Sequence, residues 1–391
     1  MKALPYGISD FPRVMREDYY YVDKTRFIEM LERQPPYLFL IRPRRFGKSL
    51  FLAMLEAYYS IDYTNRFKEL FGELYIGQHP TKRHNSYMVL RFNFSAISSK
   101  LEDVERSFSE YCCMVMKNFI LKYEHLMGSD VWKVVNPDET NPRQMLSALK
   151  EYVSRTDCPR IYLLIDEYDN FTNTILSSYG QERYREKTHG EGFIRGFFNN
   201  IKDSTSNADA AVERLFITGV SPITMDDVTS GFNIGTNISM LPEFNSVIGF
   251  SMEEMREMVS YYKSESALPA DMTVDGLIET MKPWYDNYCF SSWNLDEKVF
   301  NSDMALYFLN SYLLRKRAPE MMIDSNIRTD YNKLRHLVQI DKRFGANASV
   351  IQQIIAEGSI TAQIATSFPA EKMADTENFK SLLFYFGMLS I

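Results

Sequence analysis

Gly47-Lys48-Ser49 follows directly on the run Leu38-Phe39-Leu40-Ile41-Arg42-Pro43-Arg44-Arg45-Phe46 and opens a helical pattern over Ser49–Tyr59. An apolar strand, a tight glycine-containing turn and a helix start form a setting in which backbone N–H groups and one lysine can hold a polyphosphate. Gly47 lets the main chain wrap close to phosphate, Lys48 is placed to reach the β- and γ-phosphates, and Ser49 to set its hydroxyl on Mg²⁺. The candidate nucleotide-binding stretch is therefore Arg42, Pro43, Arg44, Arg45, Phe46, Gly47, Lys48, Ser49 and Leu50. The full phosphate-loop pattern has glycine where this chain has Arg42. Taken alone, Gly-Lys-Ser also fits an ordinary strand-to-helix turn.

A second element lies downstream. Ile161-Tyr162-Leu163-Leu164-Ile165 is an apolar strand pattern that ends in Asp166-Glu167. In phosphate-loop ATPases the first such acid supports the metal and the second polarises the attacking water. Asp166 is thus a candidate metal residue with Ser49, and Glu167 the candidate general base. The alternative is a strand that meets its turn at Asp-Glu. A third run, Arg214-Leu215-Phe216-Ile217-Thr218-Gly219-Val220-Ser221, places Thr218 or Ser221 where a γ-phosphate sensor would stand; the plainer reading is a threonine capping a strand end. The expected cofactors are ATP and Mg²⁺.

Composition limits what must position these residues. The chain has 391 residues with 44 Lys+Arg against 51 Asp+Glu, a net charge of −7, so a dedicated duplex-coating DNA-binding protein is disfavoured. Its length predicts two or three domains, or one large domain with an appendage, and its 45% hydrophobic content is that of a globular chain. Its 4 cysteines show no repeated Cys-x-x-Cys spacing, which excludes a disulfide framework or zinc ribbon, and the five histidines show no metal-ligand spacing. With no secretory pattern and no long apolar span, the expectation is a cytoplasmic protein without a membrane segment. The apolar C-terminal run Ser381–Ile391 suggests a chain cut before a further domain.

The first half alternates strand and helix patterns, which predicts βαβ units around a parallel sheet. Strands are expected at Tyr37–Ile41, Tyr87–Phe94, Arg160–Ile165, Arg214–Thr218 and Ser246–Phe250, with helices at Leu101–Tyr123, Arg143–Ser154 and Glu191–Lys202. The spacing between Lys48 and Asp166 suits a sheet with one strand inserted between those two. After Phe250 the pattern turns helical. Ser251 and Glu254 read as a capping box, and helices are expected at Glu253–Lys263, Val274–Met281, Asp303–Leu314, Tyr331–Ile340 and Ser349–Glu357. The expected division is a phosphate-loop core over 1–245 and a mainly helical domain over 246–391.

These motifs together resemble the bacterial AAA-ATPase-like proteins that carry a PD-(D/E)xK nuclease-like domain at the C-terminus. The matching segments include Leu4–Phe11, Tyr21-Val22-Asp23-Lys24-Thr25, Arg42–Ser49, Ile165–Asp169, Ile217–Pro222, Trp284–Phe290 and Ser381–Ile391. In that family the loop begins Arg-Pro-Arg-Arg, so Arg42 is a family trait, and the loop is also similar to those of signal-transduction ATPases with numerous domains (STAND). The resemblance implies a core of the additional-strand (ASCE) class, a helical lid with a winged-helix-like element, and a nuclease-like domain beyond Ile391. A nucleic-acid contact could come through that absent domain, or directly from the C-terminal half of this chain, where Leu313-Leu314-Arg315-Lys316-Arg317 otherwise reads as a solvated helix end. The reading is a nucleotide switch and Mg²⁺-dependent ATPase; the alternatives are a non-hydrolysing nucleotide scaffold and a nucleic-acid-binding module. No trans-acting arginine is identifiable, so no ring is expected.

Other residues admit two readings each. Arg44 and Arg45 either neutralise phosphate or contact Asp169 as a gate, against a solvated turn. Tyr21 either stacks on a base, with Lys24 or Asp23 meeting its polar edge, or precedes a helix that Asp23 caps. Trp284–Phe290 is either a partner or nucleotide contact or a core-packing corner. Cys112, Cys113, Cys158 and Cys289 read as small buried hydrophobes.

Overall fold

The computed structural model describes residues 1–188, 192–203, 210–223, 235–324, 346–373 and 375–391. Four long strands, β1 (Tyr37–Ile41), β2 (Met88–Asn93), β3 (Ile161–Asp166) and β4 (Val212–Gly219), join the short β5 (Thr236–Asn237) in a five-stranded sheet of order β2-β3-β4-β1-β5. All its pairings are parallel. Parallel sheets are covered on both faces, so their strands are continuous apolar runs. Ile161–Asp166 is buried at every position, and Leu38–Ile41 likewise.

The helices that follow these strands are α3 (Lys48–Tyr59), α4 (Val104–Met127), α5 (Pro142–Arg155), α6 (Asn170–Thr188) and α7 (Phe193–Asp203); α1 (Phe11–Arg16) and α2 (Phe27–Arg33) precede β1. Strand β4 lies between β1 and β3, so the phosphate loop and the acid pair leave the same edge of the sheet two strands apart. In open parallel sheets, ligands bind beyond the carboxyl ends of the strands.

The strand expected at Ser246–Phe250 does not belong to this sheet. Its fifth strand is Thr236–Asn237, paired with Leu38 and Phe39. Gly249, at φ +80°, breaks the extended run, and only β6 (Phe250–Ser251) pairs onward. It forms a second, antiparallel sheet with β7 (Asp286–Tyr288) and β8 (Val299–Phe300) in the order β6-β8-β7.

Around that small sheet pack α8 (Met252–Ser264), α9 (Val274–Tyr285) and α10 (Ser302–Arg315). The Ser251–Glu254 capping box is present at the start of α8. Phe250 to Tyr312 form a second buried cluster, onto which Leu4, Tyr6, Tyr20 and Val22 of the N-terminal segment pack. The last helices, α11 (Ala346–Glu357) and α12 (Thr376–Tyr385), pack instead against the first cluster, where Phe384 meets the edge of Phe290 at 6.0 Å. The helix expected at Tyr331–Ile340, with His189 and His336, lies outside the described residues.

Candidate nucleotide-binding site

Every carbonyl from Arg42 to Gly47 has a hydrogen-bond donor among the described residues. Lys48 Nζ donates to the carbonyls of Arg42 (3.1 Å) and Pro43 (2.9 Å). Asn301 Nδ2 donates to Arg44 O (3.3 Å), and Ser302 Oγ and the Asp303 amide donate to Arg45 O (3.3 and 3.1 Å). The Gly249 amide donates to Phe46 O (3.1 Å), and the Phe51 amide to Gly47 O (3.0 Å). The amides of Arg45 to Leu50, by contrast, meet no protein acceptor among the described residues. With its carbonyls taken and these amides unpartnered at the start of α3, the loop is an anion cradle. Gly47 at φ +90° and Arg45 at φ +70° make the wrap possible; for Arg45 that conformation is strained.

The cradle opens into a cleft of about 500 Å³ lined by every residue from Arg44 to Phe51, by Glu167 and Asn170, and by residues of the N-terminal segment and α10. Lys48 is 5% exposed, and burial lowers its pKa while Glu167, Asp166 and Asp169 pull it back up. A lysine held on its own loop carbonyls can be released to an entering phosphate at little cost.

Arg42 requires a correction. Its side chain does not add charge to the cradle. The guanidinium is 1% exposed, donates to the carbonyls of Ile41, Ser239 and Phe244, and lies 4.0 Å from the centre of the Phe290 ring. Neither Arg42 nor Pro43 lines the cleft; both serve it through the carbonyls that hold Lys48.

Asp166 ends β3, fully buried and behind the cleft wall that Ser49 lines. Neither carboxylate oxygen has a hydrogen-bond partner, and Arg91 Nη2 stands 3.7 Å from Oδ2. Burial raises the pKa of Asp166, opposed by Ser49 from beyond hydrogen-bond reach and by Arg91 and Lys48. A buried carboxylate that lacks a hydrogen-bond partner among the described residues, near a serine hydroxyl, fits a hard divalent cation. Among the described residues no group of three or more His, Cys, Asp or Glu forms an all-protein metal cage. Few protein oxygens plus phosphate is the usual arrangement for Mg²⁺. Glu167 lines the cleft at φ +54°, a left-handed conformation that costs a non-glycine residue about 1–2 kcal/mol.

Thr218 also requires correction. Its hydroxyl donates to Leu40 O at 2.7 Å, tying β4 to β1, and it is fully buried away from the cleft. Ser221 is equally buried; its amide donates to Asp169 Oδ2 at 2.6 Å and its carbonyl accepts from Tyr168 Oη. Asp169 also accepts from the Val220 amide and from Asn173 Nδ2, so its carboxylate caps the turn after β4.

Tyr21 lines the cleft with its ring edge-on to Phe11 at 5.2 Å, and burial raises its pKa. Lys24 does not present its ammonium to a base. It is 6% exposed and donates to both Glu254 oxygens (2.7 and 2.6 Å) and to Ser246 O. Asp23 does not cap α2, which starts after Arg26 without a side-chain cap; it accepts from Thr25 and from the Tyr75 amide, the first of a short helical turn. Trp284–Phe290 is chiefly a packing corner, where Phe46 meets Tyr288 (4.9 Å) and Phe290 (5.4 Å) edge-on.

Sequence reasoning missed the residues that brace the loop from far along the chain: Gly249, Asn301, Ser302 and Asp303. Asn301 was legible only as a helix cap, which it also is, accepting from the Met304 amide. It also missed Arg91, which sits between Glu56 (3.0 Å) and Asp166, and Asn93, which lines the cleft beside Asp166 in register.

A parallel sheet with a lysine-bearing anion cradle at the carboxyl end of one strand and an acid pair two strands away defines a Walker-type nucleotide-binding fold. The predicted AAA-ATPase family model, AAA-ATPase-like, matches residues 5–229, and the chain belongs to that family. It is 28% identical over 341 residues to an uncharacterised protein of the vnfD 5′ region of Azotobacter chroococcum mcd 1, covering 83% of this chain and 56% of that one. The chain thus spans about half the length of this relative. A Walker-type ATPase of Pyrococcus abyssi has a similar fold, with a TM-score of 0.50 and 13% identity over 97% of this chain and 91% of that one. Among the described residues no helix is long and apolar enough to cross a membrane.

Proposed function

We propose that this chain binds ATP with Mg²⁺ and hydrolyses it, acting as a nucleotide switch. The observation that carries the reading is the loop's hydrogen-bond accounting: the carbonyls from Arg42 to Gly47 are all partnered, while the amides from Arg45 to Leu50, on residues that line the cleft, have no protein acceptor among the described residues. Such a cradle offers its free donors to an anion.

The amides of the loop and Lys48 hold the phosphates, with Arg44 and Arg45 adding charge. Ser49 and Asp166 would hold the metal, which when bound offsets charge on the phosphate oxygens. Glu167 accepts a proton from the water that attacks the γ-phosphorus in line, giving ADP and inorganic phosphate. Tyr21 at the cleft wall supplies an aromatic surface for the base. The inserted strand β4 supports placement in the additional-strand class of these ATPases. On this reading the second cluster, from Phe250 to Tyr312, is the lid that carries nucleotide state to an attached nuclease-like domain, as the family resemblance implies.

Equilibrium binding and turnover test the core of the proposal. Lys48→Ala should abolish ATP binding, and Glu167→Gln should bind ATP but not turn it over. Wild-type hydrolysis by either variant would refute the assignment.

A further inference from the structure

Arg45 belongs to the cradle by its backbone and to α10 by its side chain. Arg45 and Asp303 both line the cleft, and the guanidinium meets Asp303 Oδ2 through Nη1 at 3.2 Å. The first turn of α10 holds the Arg45 backbone independently, through the Asp303 amide and Ser302 Oγ on Arg45 O. The side chain can therefore change partner while the loop stays clamped.

Asp303 is only 14% exposed, and a second carboxylate acts on it. Asp324 accepts from Tyr6 Oη at 2.5 Å and repels a charge on Asp303, so Arg45 is the cation that lets Asp303 stay ionised in its buried site. Losing that cation is costly for α10, and the cost must be met by whatever takes Arg45.

In loops of this kind the backbone amides cradle the first two phosphates, with the lysine reaching the second and third. Only a third phosphate adds charge toward the rim where Arg45 and Asp303 meet. We infer that Asp303 sets the preference of this site for nucleoside triphosphate over diphosphate, by competing with the third phosphate for the Arg45 guanidinium. The inference rests on the nucleotide-binding reading above and adds to it a residue outside every expected motif. Triphosphate draws Arg45 from Asp303 and leaves the Asp303 carboxylate without its cation, repelled by Asp324 and by the polyanion, which loosens the first turn of α10. Diphosphate leaves the pair closed.

The test is calorimetric titration of the full chain with Mg²⁺ and either ADP or adenosine 5′-(γ-thio)triphosphate. Asp303→Asn should tighten the triphosphate analogue about fivefold and change ADP affinity by less than about twofold. Arg45→Gln should weaken the triphosphate analogue about tenfold and ADP by less, and in that background Asp303→Asn should change nothing. Equal shifts for both nucleotides, or weaker triphosphate binding in Asp303→Asn, would overturn the inference while leaving nucleotide binding intact. If Asp303→Asn fails to fold, Asp303→Ser takes its place in the same comparison and in the Arg45→Gln background. Absence of binding to the unmodified chain would instead sink the nucleotide reading and this inference with it.

Discussion

The guanidinium of Arg42 lies 4.0 Å from the centre of the Phe290 ring, so the first residue after β1 reaches across to a segment about 250 positions downstream. It donates there to the carbonyls of Ser239 and Phe244, which are otherwise buried acceptors. Among phosphate-loop residues Arg42 is a structural tie, and its planar fork matters more than its charge. Arg42→Lys should therefore cost about 3 kcal/mol of stability by chemical denaturation, because one ammonium cannot serve both carbonyls and the ring. Unchanged stability with lost nucleotide binding would return Arg42 to the phosphate site.

Thr218 gives a matching case in the sheet. Its hydroxyl bonds Leu40 O at 2.7 Å, so Thr218→Val should lower stability by about 1 kcal/mol, the usual net worth of one hydrogen bond. Turnover should stay within about twofold of the parent, since nothing in the cleft is removed. A fall in kcat of tenfold or more, with the melting temperature unmoved, would show that Thr218 senses nucleotide after all.

The difference between what was legible and what was not follows the range of the interactions. Strands of a buried parallel sheet are continuous apolar runs, so Tyr37–Ile41 and the strand ending at Asp166 stand out locally. The capping box at Ser251–Glu254 is equally local. Thr236–Asn237 is two polar residues made into a strand only by pairing with Leu38 and Phe39, which no local pattern signals. The clamp of Asn301, Ser302 and Asp303 on the loop joins residues 257 or more positions apart. The direction of the Arg42 side chain was hidden for the same reason: a cation beside a phosphate loop reads as a phosphate ligand until its distant acceptors are known.

Asp286 offers a prediction on pH. Its side chain is 6% exposed and Oδ1 has no hydrogen-bond partner. Burial raises its pKa above 3.8, with Lys282 and Lys298 opposing and Glu279 adding to the rise. A carboxylate that binds its proton more tightly when folded makes stability fall as pH rises between its unfolded and folded pKa values. Asp286→Asn removes that charge, so its melting temperature should exceed the parent's at pH 7.5. The gap should close as pH is lowered into the range where Asp286 is protonated. A gap that is constant or widens toward acid would contradict the burial argument.

Glu167 ends the acid pair in a left-handed conformation, and chemistry and fold can be separated there. Glycine adopts φ +54° without the side-chain penalty, but it loses more backbone entropy on folding, by about 0.5–1 kcal/mol. Relief of about 1–2 kcal/mol of strain against that loss leaves Glu167→Gly within about 1 kcal/mol of the parent or slightly more stable. Isoleucine at the same position keeps the strain and adds β-branching, so Glu167→Ile should be clearly less stable than Glu167→Gly. Both variants lack the carboxylate and should show no ATP turnover by phosphate release, while Glu167→Gly still binds the nucleotide. This ordering separates strain held for a carboxylate in the cleft from a conformation imposed only by the turn. Turnover by Glu167→Gly at the parental rate would move the base elsewhere, and equal stability of the glycine and isoleucine variants would remove the strain argument.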